Sequence, residues 1–470
     1  MKNLEKTNNI KLFIGICCLI MAISSCKKLI EIPPNPKNEI TSAALFADSA
    51  NIAGAVAGIY TNFGVTTNFD FGSGQITLYT GLTGDELVPI IAGGSPYDLQ
   101  FYTNKIINTN NVNAGLWSNA YAALYQVNAC LAGISSTNVI SNTYKKQLIG
   151  EIEVVRAFYY FNLVNIFGPV PLVTTTDYLV TKNIPKAPVD TIYNQILRDL
   201  TDAQKKLTVN YPSDGHARPN LYTVDALLAK VYLYLGQWQN AEDAANSVIN
   251  SNQYSLVPLS GVFLDGSAEA IWQLPGAGLY SQTEEAQYFV PYASTVVPNY
   301  SLSTNLLNTF EPGDQRLQQW AGEDTVNING VNMYYYYPHK YRAIRNTDVP
   351  AEDYMIFRLG ELYLIRAEAL AEENKTSQAI ADLNQIRTRA GLPASSAASQ
   401  KDALNAIMHE RQIELFCEWG NRWYDLKRTG TINTVLGSEK TGWVSTDALY
   451  PVPLIELQAN PFLTQNPGYN

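Results

Sequence analysis

Residues 401–430, KDALNAIMHERQIELFCEWGNRWYDLKRTG, decide the fold of this chain. Three glutamates, Glu410, Glu414 and Glu418, recur four residues apart, so on one helix they lie along one face. The segment also has two apolar stripes at helical spacing, and a helix that is apolar on two sides is buried. One stripe is Leu404, Ile407, Met408, Leu415 and Trp419, and the other is Ile413, Phe416, Cys417 and Tyr424. The segment therefore predicts a buried helix in an ion-pair network, whose charges are either catalytic or architectural.

Cations near these glutamates favour an architectural role. Arg411 and Arg422 are within reach along the same helix. Arg358 and Arg366 lie in sequence blocks that we expect to pack nearby. We therefore interpret residues 401–430 as the structural centre of a helical array, and the binding site is better sought elsewhere.

Two segments have the pattern of tetratricopeptide-like helix pairs. In residues 223–251 a glycine, small residues and large residues recur where paired helices meet closely: Leu233, Leu235, Gly236, Trp238 and Ala241. A related unit spans residues 357–391, and residues 144–207 and 403–426 could supply further members. Because stacked helix pairs form an α-superhelix, the sequence predicts a mainly α fold of this kind.

Residues 255–350 differ from the repeats. They are rich in aromatic residues, with Pro and Gly scattered among them, and short strands are expected at 269–274 and 331–341. A long, irregular, loop-rich insertion in a helical array is a candidate binding face. The predicted body, 41–470, thus divides into an N-terminal part with helical repeats (41–254), the insertion (255–350) and a C-terminal helical part (351–470).

The N-terminus has the pattern of an export signal. Lysines precede the apolar run from Leu12 to Ile23, which is too short to span a bilayer as a mature helix. The run ends Ile23-Ser24-Ser25-Cys26, which resembles the lipobox of bacterial lipoproteins. Residues 1–25 are thus predicted to be a signal peptide, Cys26 the lipid-attachment residue, and the proline-containing segment 26–40 a tether.

Composition limits the class of protein and its partners. The chain has 470 residues, 46% of them hydrophobic and 16% charged, enough to bury a large core. Removing residues 1–25 takes away three lysines and one glutamate, so the formal net charge of −10 becomes −12. Such an acidic protein is a poor candidate for nucleic-acid binding. After export only Cys130 and Cys417 remain as free thiols, and they imply no disulfide framework.

The sequence contains no complete metal-binding or cofactor-binding motif of the common types. His409-Glu410 begins like a zincin motif, but Ile413 stands where the second histidine is needed, so no metal site is expected. The sequence has no G-x-S-x-G elbow, P-loop or G-x-G-x-x-G motif, and no cofactor is expected. The remaining catalytic option is a carboxylate pair of the glycosidase type. The candidate acids are Asp85, Glu86, Glu284, Glu285 and Glu323.

Several sequence blocks, in order along the chain, resemble the SusD/RagB family of Bacteroidetes nutrient-uptake lipoproteins. They are Glu151 to Pro171, Ala226 to Ile249, Phe357 to Ala369, Ile386 to Gly391, Glu410 to Arg428, Tyr450 to Pro453, Asn460-Pro461 and Gln465 to Tyr469. The resemblance implies a surface-exposed outer-membrane lipoprotein with tetratricopeptide-like helix pairs, generally without enzymatic activity. It also implies a ligand, an oligosaccharide or in some relatives a peptide, and a partner, a TonB-dependent transporter of the SusC type.

Aromatic side chains are the candidate ligand contacts, because sugar C–H groups stack on aromatic faces. Tyrosine is twice as common as phenylalanine, 30 against 15, which suits a site that needs an apolar face and a polar tip. The candidates are Tyr97, which follows the turn Gly93-Gly94-Ser95-Pro96, together with Tyr280, Tyr288, Tyr292, Tyr300 and Trp320 in the insertion. For each of them, packing against the protein body is the competing interpretation.

Three functional hypotheses follow. The first is a non-enzymatic glycan-binding lipoprotein that delivers its ligand to the transporter. The second is a glycoside hydrolase that uses two of the acids named above. The third is a peptide-binding or scaffold lipoprotein of the same architecture.

Overall fold

The computed structural model describes residues 41–64, 70–90, 95–276 and 282–469. The predicted signal peptide, Cys26, the tether and Tyr280 therefore lie outside the described residues. Within those ranges, no helix combines the length and the apolar character that crossing a membrane requires.

Helices make up most of the N-terminal part, and capping side chains set where the long ones begin. Asn110 and Ser141 each accept hydrogen bonds from N–H groups of the following first turn, which otherwise have no partner. The helices are α1 (Ser42–Leu45), α2 (Ser49–Gly64), α3 (Ile76–Thr83), α4 (Pro96–Tyr102), α5 (Asn111–Ser136), α6 (Asn142–Phe167), α7 (Tyr178–Thr181), α8 (Val189–Gln204), α9 (Leu221–Tyr234) and α10 (Trp238–Ile249). Three short strands are β1 (Leu87–Pro89), β2 (Val170–Pro171) and β3 (Lys186–Ala187).

The insertion contains short strands and short helices. In chain order they are β4 (Ala270–Leu274), α11 (Glu284–Phe289), β5 (Tyr300–Leu302), α12 (Thr304–Leu307), α13 (Gln315–Trp320), β6 (Ala321–Ile328), β7 (Val331–Pro338) and β8 (Tyr354–Arg358). All strand pairs are antiparallel: β1 with β5, β2 with β3, β4 with β8, and β6 with β7. The strands expected at 269–274 and 331–341 are β4 and β7.

The C-terminal part continues the helical stack. Its helices are α14 (Leu359–Glu372), α15 (Thr376–Arg389), α16 (Gln400–Glu414), α17 (Asn421–Arg428), α18 (Ile432–Glu439) and α19 (Leu454–Ala459). Neighbours pack in the order α5, α6, α8, α9, α10, and α10 then packs directly on α14, which contacts α15 and α16. The stack is thus continuous across the insertion, and the predicted α-superhelix of tetratricopeptide-like pairs is confirmed.

The same turn closes two of the helix pairs. Gly236, between α9 and α10, has φ +66°, and Asn374, between α14 and α15, has φ +62°. In each case the next N–H reaches back into the preceding helix, Gln237 to Tyr232 O at 2.9 Å and Lys375 to Leu370 O at 2.8 Å. A left-handed residue after a helix satisfies its last carbonyls and reverses the chain, which is how the paired helices come to lie side by side.

An aromatic cluster joins the parts of the chain into one core. Phe63 of α2 stacks on Trp272 of β4 at 5.3 Å between ring centroids, and the edge of Phe158 of α6 meets Phe63 at the same distance. Trp419 packs against Phe158 at 5.1 Å. The N-terminal helices, the insertion and the segment that follows α16 therefore share one buried centre.

The prediction of one helix through residues 401–430 is wrong. Helix α16 ends at Glu414, and Cys417 and Trp419 both have φ +49°, outside the helical region. The Cys417 N–H donates to Glu86 Oε1 and the Trp419 N–H donates to Thr77 Oγ1, each at 3.1 Å. These partners from the N-terminal part replace the helical hydrogen bonds, so Glu418 lies in a turn and not on the helix face.

Candidate functional site

A buried charge network surrounds the end of α16. Glu414 is fully buried and pairs with Arg358 at 2.5 Å, with Arg316 at 3.1 Å and with Arg389. Arg316 also pairs with Glu410 at 2.6 Å. Arg358 and Lys340 reach Glu418 at 2.8 and 2.5 Å. We call these seven residues, Lys340, Arg316, Arg358, Arg389, Glu410, Glu414 and Glu418, the charge network.

The electrostatics of the network suit a structural role. Burial acts to raise the pKa of Glu414, but the charges of Arg389, Arg358 and Arg316 outweigh it and hold that pKa well below its usual range. Glu414 is therefore ionised, with each oxygen held by a guanidinium. A carboxylate enclosed by cations and closed to solvent has no room for a substrate, so the network is architectural.

Three of the four arginines expected near the glutamates have other partners. Arg411 pairs with Asp425 at 2.7 Å, and Arg422 pairs with Asp85. Arg366, also expected nearby, pairs with Asp382 at 2.7 Å. Only Arg358 among the four cations named from the sequence joins the charge network, because β8 lies beside the turn that carries Glu418.

The acids considered for a glycosidase pair are mostly buried. Asp85, Glu86, Glu284 and Glu285 are all less than a tenth exposed, and only Glu323, on β6, is exposed. Glu86 accepts the Cys417 N–H, and Glu285 accepts the Tyr354 hydroxyl at 2.7 Å. Among the described residues, these five acids therefore provide no two exposed carboxyls across a cleft.

Buried Glu285 predicts a pH effect on stability. Burial raises its pKa from 4.5 to about 8, so the folded state holds this proton more tightly than the unfolded state does. Its contribution to stability is present below about pH 4.5 and is lost as the pH rises towards 8. We expect Glu285→Gln to reduce the fall in melting temperature of the wild-type protein between about pH 5 and pH 8. Melting curves at matched ionic strength measure this, and equal falls in both proteins would contradict the assignment.

The candidate tyrosines lie on the two chain segments that leave one end of the β1–β5 pair. Pro89 lies opposite Tyr300, and the Ile90 N–H donates to Asn299 O at 3.0 Å. The chain leaving β1 and the chain entering β5 therefore run together towards the same end. Tyr97 follows on the first side, and Tyr288 and Tyr292 precede β5 on the other.

Asp98 organises this end of the molecule. It is 7% exposed, and the Tyr300 hydroxyl donates to its Oδ2 at 2.8 Å. Burial raises the pKa of Asp98, while hydrogen bonds from Tyr300 and Tyr79 act against the rise. Burial, then the Glu284 carboxylate and then the Asp98 carboxylate raise the pKa of Tyr288. Asp98 thus fixes the two sides of the face relative to each other; the sequence interpretation missed it, although it adjoins Tyr97 in the first turn of α4.

The tyrosines differ in how much ring they present. Tyr292 is 78% exposed, whereas Tyr97 and Tyr288 are half-buried. The Tyr97 hydroxyl accepts from Asn111 Nδ2 at 2.9 Å, which holds the ring against the start of α5. We call Tyr97, Asp98, Tyr288 and Tyr292 the aromatic face. Tyr300 is only 6% exposed and supports the face through Asp98.

Trp320 is a core residue, and its selection as a ligand contact is corrected. It is 0% exposed, and its indole N–H donates to Leu259 O at 3.0 Å. Lys340 lies over its ring at 4.7 Å and Arg358 at 5.6 Å. Its ring therefore covers the cations of the charge network and is closed to a ligand at the surface.

The described surface also has several hollows. One of about 480 Å³ lies in the insertion between residues 259–264 and 340–352. One of about 240 Å³ lies between α2 and α5 and is lined by Asn62, Asp70, Asn119 and Gln126 among others, and one of about 230 Å³ is lined by residues of α8, α9 and α10. No cluster of three or more His, Cys, Asp or Glu side chains suited to a metal ion occurs in the described ranges.

Comparison with known proteins gives two family matches. Residues 278–469 match the model of the SusD family, and residues 75–233 match a model described as starch-binding, associating with the outer membrane. A SusD-like protein of Formosa agariphila is 24% identical over 99% of this chain and all of its own length. The starch-binding protein SusD of Bacteroides thetaiotaomicron is 28% identical over 27% of this chain and 24% of its own length.

Solved structures share the architecture. A laminarin-binding SusD-like protein superimposes with a TM-score of 0.74 at 25% sequence identity. The match covers 90% of this chain and 100% of that one. The chain therefore shares its overall fold with that protein.

Proposed function

Because the chain belongs to the SusD/RagB family, we propose that it is a cell-surface lipoprotein that captures an oligosaccharide and delivers it to a TonB-dependent outer-membrane transporter of the SusC type. The protein binds its ligand without chemically altering it. Tyr97, Tyr288 and Tyr292 are the proposed ligand contacts.

The aromatic face is the observation that carries this proposal. It combines one ring that is 78% exposed with two half-buried rings and a buried carboxylate, all on the segments that leave β1 and enter β5. Sugars present C–H groups that stack on rings and hydroxyls that need hydrogen-bond partners. Asn111, whose amide already donates to the Tyr97 hydroxyl, stands at the start of α5 beside that ring and can bond a sugar hydroxyl.

The descriptions of similar proteins indicate which class of ligand to test. One matching family model and one relative are described as starch-binding, and one similar structure as laminarin-binding. Starch and laminarin are both neutral glucans, so a neutral oligosaccharide is the first ligand to test on the aromatic face.

Membrane attachment rests on the sequence and on the family. The N-terminal pattern ending at Cys26 favours lipidation, and a matching family model is described as associating with the outer membrane. Two or more acyl chains on Cys26 would hold the protein stably at a membrane surface. Co-purification from detergent extracts tests the partner, since a transporter of the SusC type should accompany the wild-type protein.

Catalysis is the weaker alternative, because four of the five acids considered for it are buried. Isothermal titration against starch, laminarin and other oligosaccharides, followed by chromatography of the incubated sugars, separates the alternatives. We expect saturable binding with the sugars recovered intact. Hydrolysis would indicate an enzyme, and binding of peptides alone would indicate the peptide-binding alternative.

Tyr292 provides a single-residue prediction. Replacing it with alanine should weaken oligosaccharide binding about 5- to 10-fold, because a ring that stacks on a sugar contributes roughly 1 kcal/mol. The melting temperature should hardly change, since the ring is 78% exposed. Tyr178→Ala is the matched control, because Tyr178 on α7 is 71% exposed and is not part of the aromatic face. An equal loss of affinity in both variants would contradict a specific role for Tyr292.

A further inference from the structure

The 480 Å³ cavity in the insertion is separate from the aromatic face and has a different lining. Phe263 and Leu264 form part of its apolar wall, and Ser260, Arg342 and Asp348 supply polar groups. Its volume lies within the usual range for sites that hold small ligands. None of the residues proposed above as ligand contacts lines it.

Arg342 is the unusual residue in this lining. Its guanidinium donates to two main-chain carbonyls, His339 O at 3.4 Å and Gln319 O, and it is half-buried. Among the described residues this guanidinium forms no salt bridge within 4.0 Å, although nearly every other arginine forms one. The other two without one, Arg198 and Arg345, are exposed. The carbonyls orient the Arg342 fork, and the Glu352 carboxylate acts on its charge from beyond salt-bridge distance. The guanidinium therefore keeps the capacity to pair with a ligand carboxylate.

Two acids also line the cavity, and both are engaged with the main chain. Glu352 accepts the N–H groups of Arg342 and Ala343 at 2.9 to 3.0 Å, and Asp348 accepts the Arg345 N–H at 3.0 Å. They stabilise the loop that carries Arg342, and each keeps lone pairs that can accept a hydroxyl. Lys340 also lines the cavity but is already paired with Glu418, so a simple anion would pair with the Arg342 guanidinium and be repelled by two carboxylates. A ligand that carries hydroxyl groups beside its carboxylate fits both kinds of residue.

We infer that this cavity binds an acidic sugar residue of the uronic acid class. The sugar carboxylate pairs with Arg342, and its hydroxyls donate to Asp348 and bond to Ser260 and Thr347 at the rim. Phe263 and Leu264 contact the apolar edge of the ring. The inference deepens the proposed function by naming a second ligand class, but it concerns a separate site, so failure at either site leaves the other standing.

Titration with digalacturonate tests the inference, with galactobiose as the neutral counterpart that lacks the carboxylates. We expect saturable binding of digalacturonate and weaker binding of galactobiose. Arg342→Gln should weaken digalacturonate binding about 10-fold or more, as expected for loss of a charge-assisted hydrogen bond. Arg345→Gln is the matched control, because Arg345 also lacks a carboxylate partner but lies outside the cavity lining, and it should bind as the wild type does.

Two further measurements keep the test decisive. Ser260→Trp places a large side chain at the exposed rim and should abolish digalacturonate binding even if Arg342→Gln fails to fold. Tyr292→Ala should retain it, which separates this site from the aromatic face. Absence of saturable binding, unchanged affinity in Arg342→Gln or Ser260→Trp, or displacement of digalacturonate by an equal concentration of acetate would overturn the inference.

Discussion

Replacing Glu414 with alanine is expected to destabilise the fold by at least about 3 kcal/mol, because it leaves three buried arginines short of their shared counter-ion. Glu414 is fully buried and pairs with Arg316, Arg358 and Arg389. Chemical denaturation measures the loss, as a lower midpoint with an unchanged dependence on denaturant. The fraction that remains folded should bind oligosaccharide with wild-type affinity.

Glu323→Ala is the matched control for this prediction, because it removes the same side chain from an exposed position on β6. It should change stability by less than about 0.5 kcal/mol. A Glu414→Ala protein that keeps its stability but no longer binds sugar would make the charge network a functional site. That outcome would reverse the architectural assignment.

Replacing Trp320 with alanine is the second change with a large expected effect. The ring is fully buried, and its loss opens a cavity beside Lys340 and Arg358, so we expect a cost of about 3–5 kcal/mol. The indole N–H that bonds Leu259 O is lost as well. Thermal or chemical denaturation again gives the measurement.

Trp320→Phe separates packing from ligand contact. It keeps an aromatic ring over Lys340 and should cost clearly less than the alanine variant. Ligand affinity of the folded protein should be the same in both variants. If Trp320→Ala retained wild-type stability and lost sugar binding, Trp320 would again be a ligand contact.

Local pattern was enough to predict the helix pairs and not enough to predict where α16 ends. The helix pair around Gly236 and the pair that follows Phe357 each lie within about 30 residues. Apolar residues at helical spacing within such a stretch are enough to predict them. The break after Glu414 depends on Glu86 and Thr77, which lie more than 300 residues earlier in the chain. A single sequence does not show that Glu86 and Thr77 lie beside the end of α16 in the folded chain.

The candidate site shows the same division. Tyr97 and Tyr292 could be chosen because turn-forming residues surround them. Tyr292 and Trp320, however, are both aromatic residues of the insertion, and the sequence does not show that one is 78% exposed and the other 0%. That difference depends on the β1–β5 pairing and on the position of the charge network beneath Trp320. Arg342 could not be singled out either, because its lack of a carboxylate partner is a property of the folded chain alone.

Titration of the wild-type protein and of a Tyr97→Ala/Tyr292→Ala double variant with the tightest-binding neutral oligosaccharide is the most direct test of glycan binding at the aromatic face. We expect one saturable site in the wild type, an affinity at least about 20-fold lower in the double variant with its melting temperature unchanged, and sugar recovered intact from both. Equal affinity of the two folded proteins, or hydrolysis of the sugar, would contradict a binding function at this face.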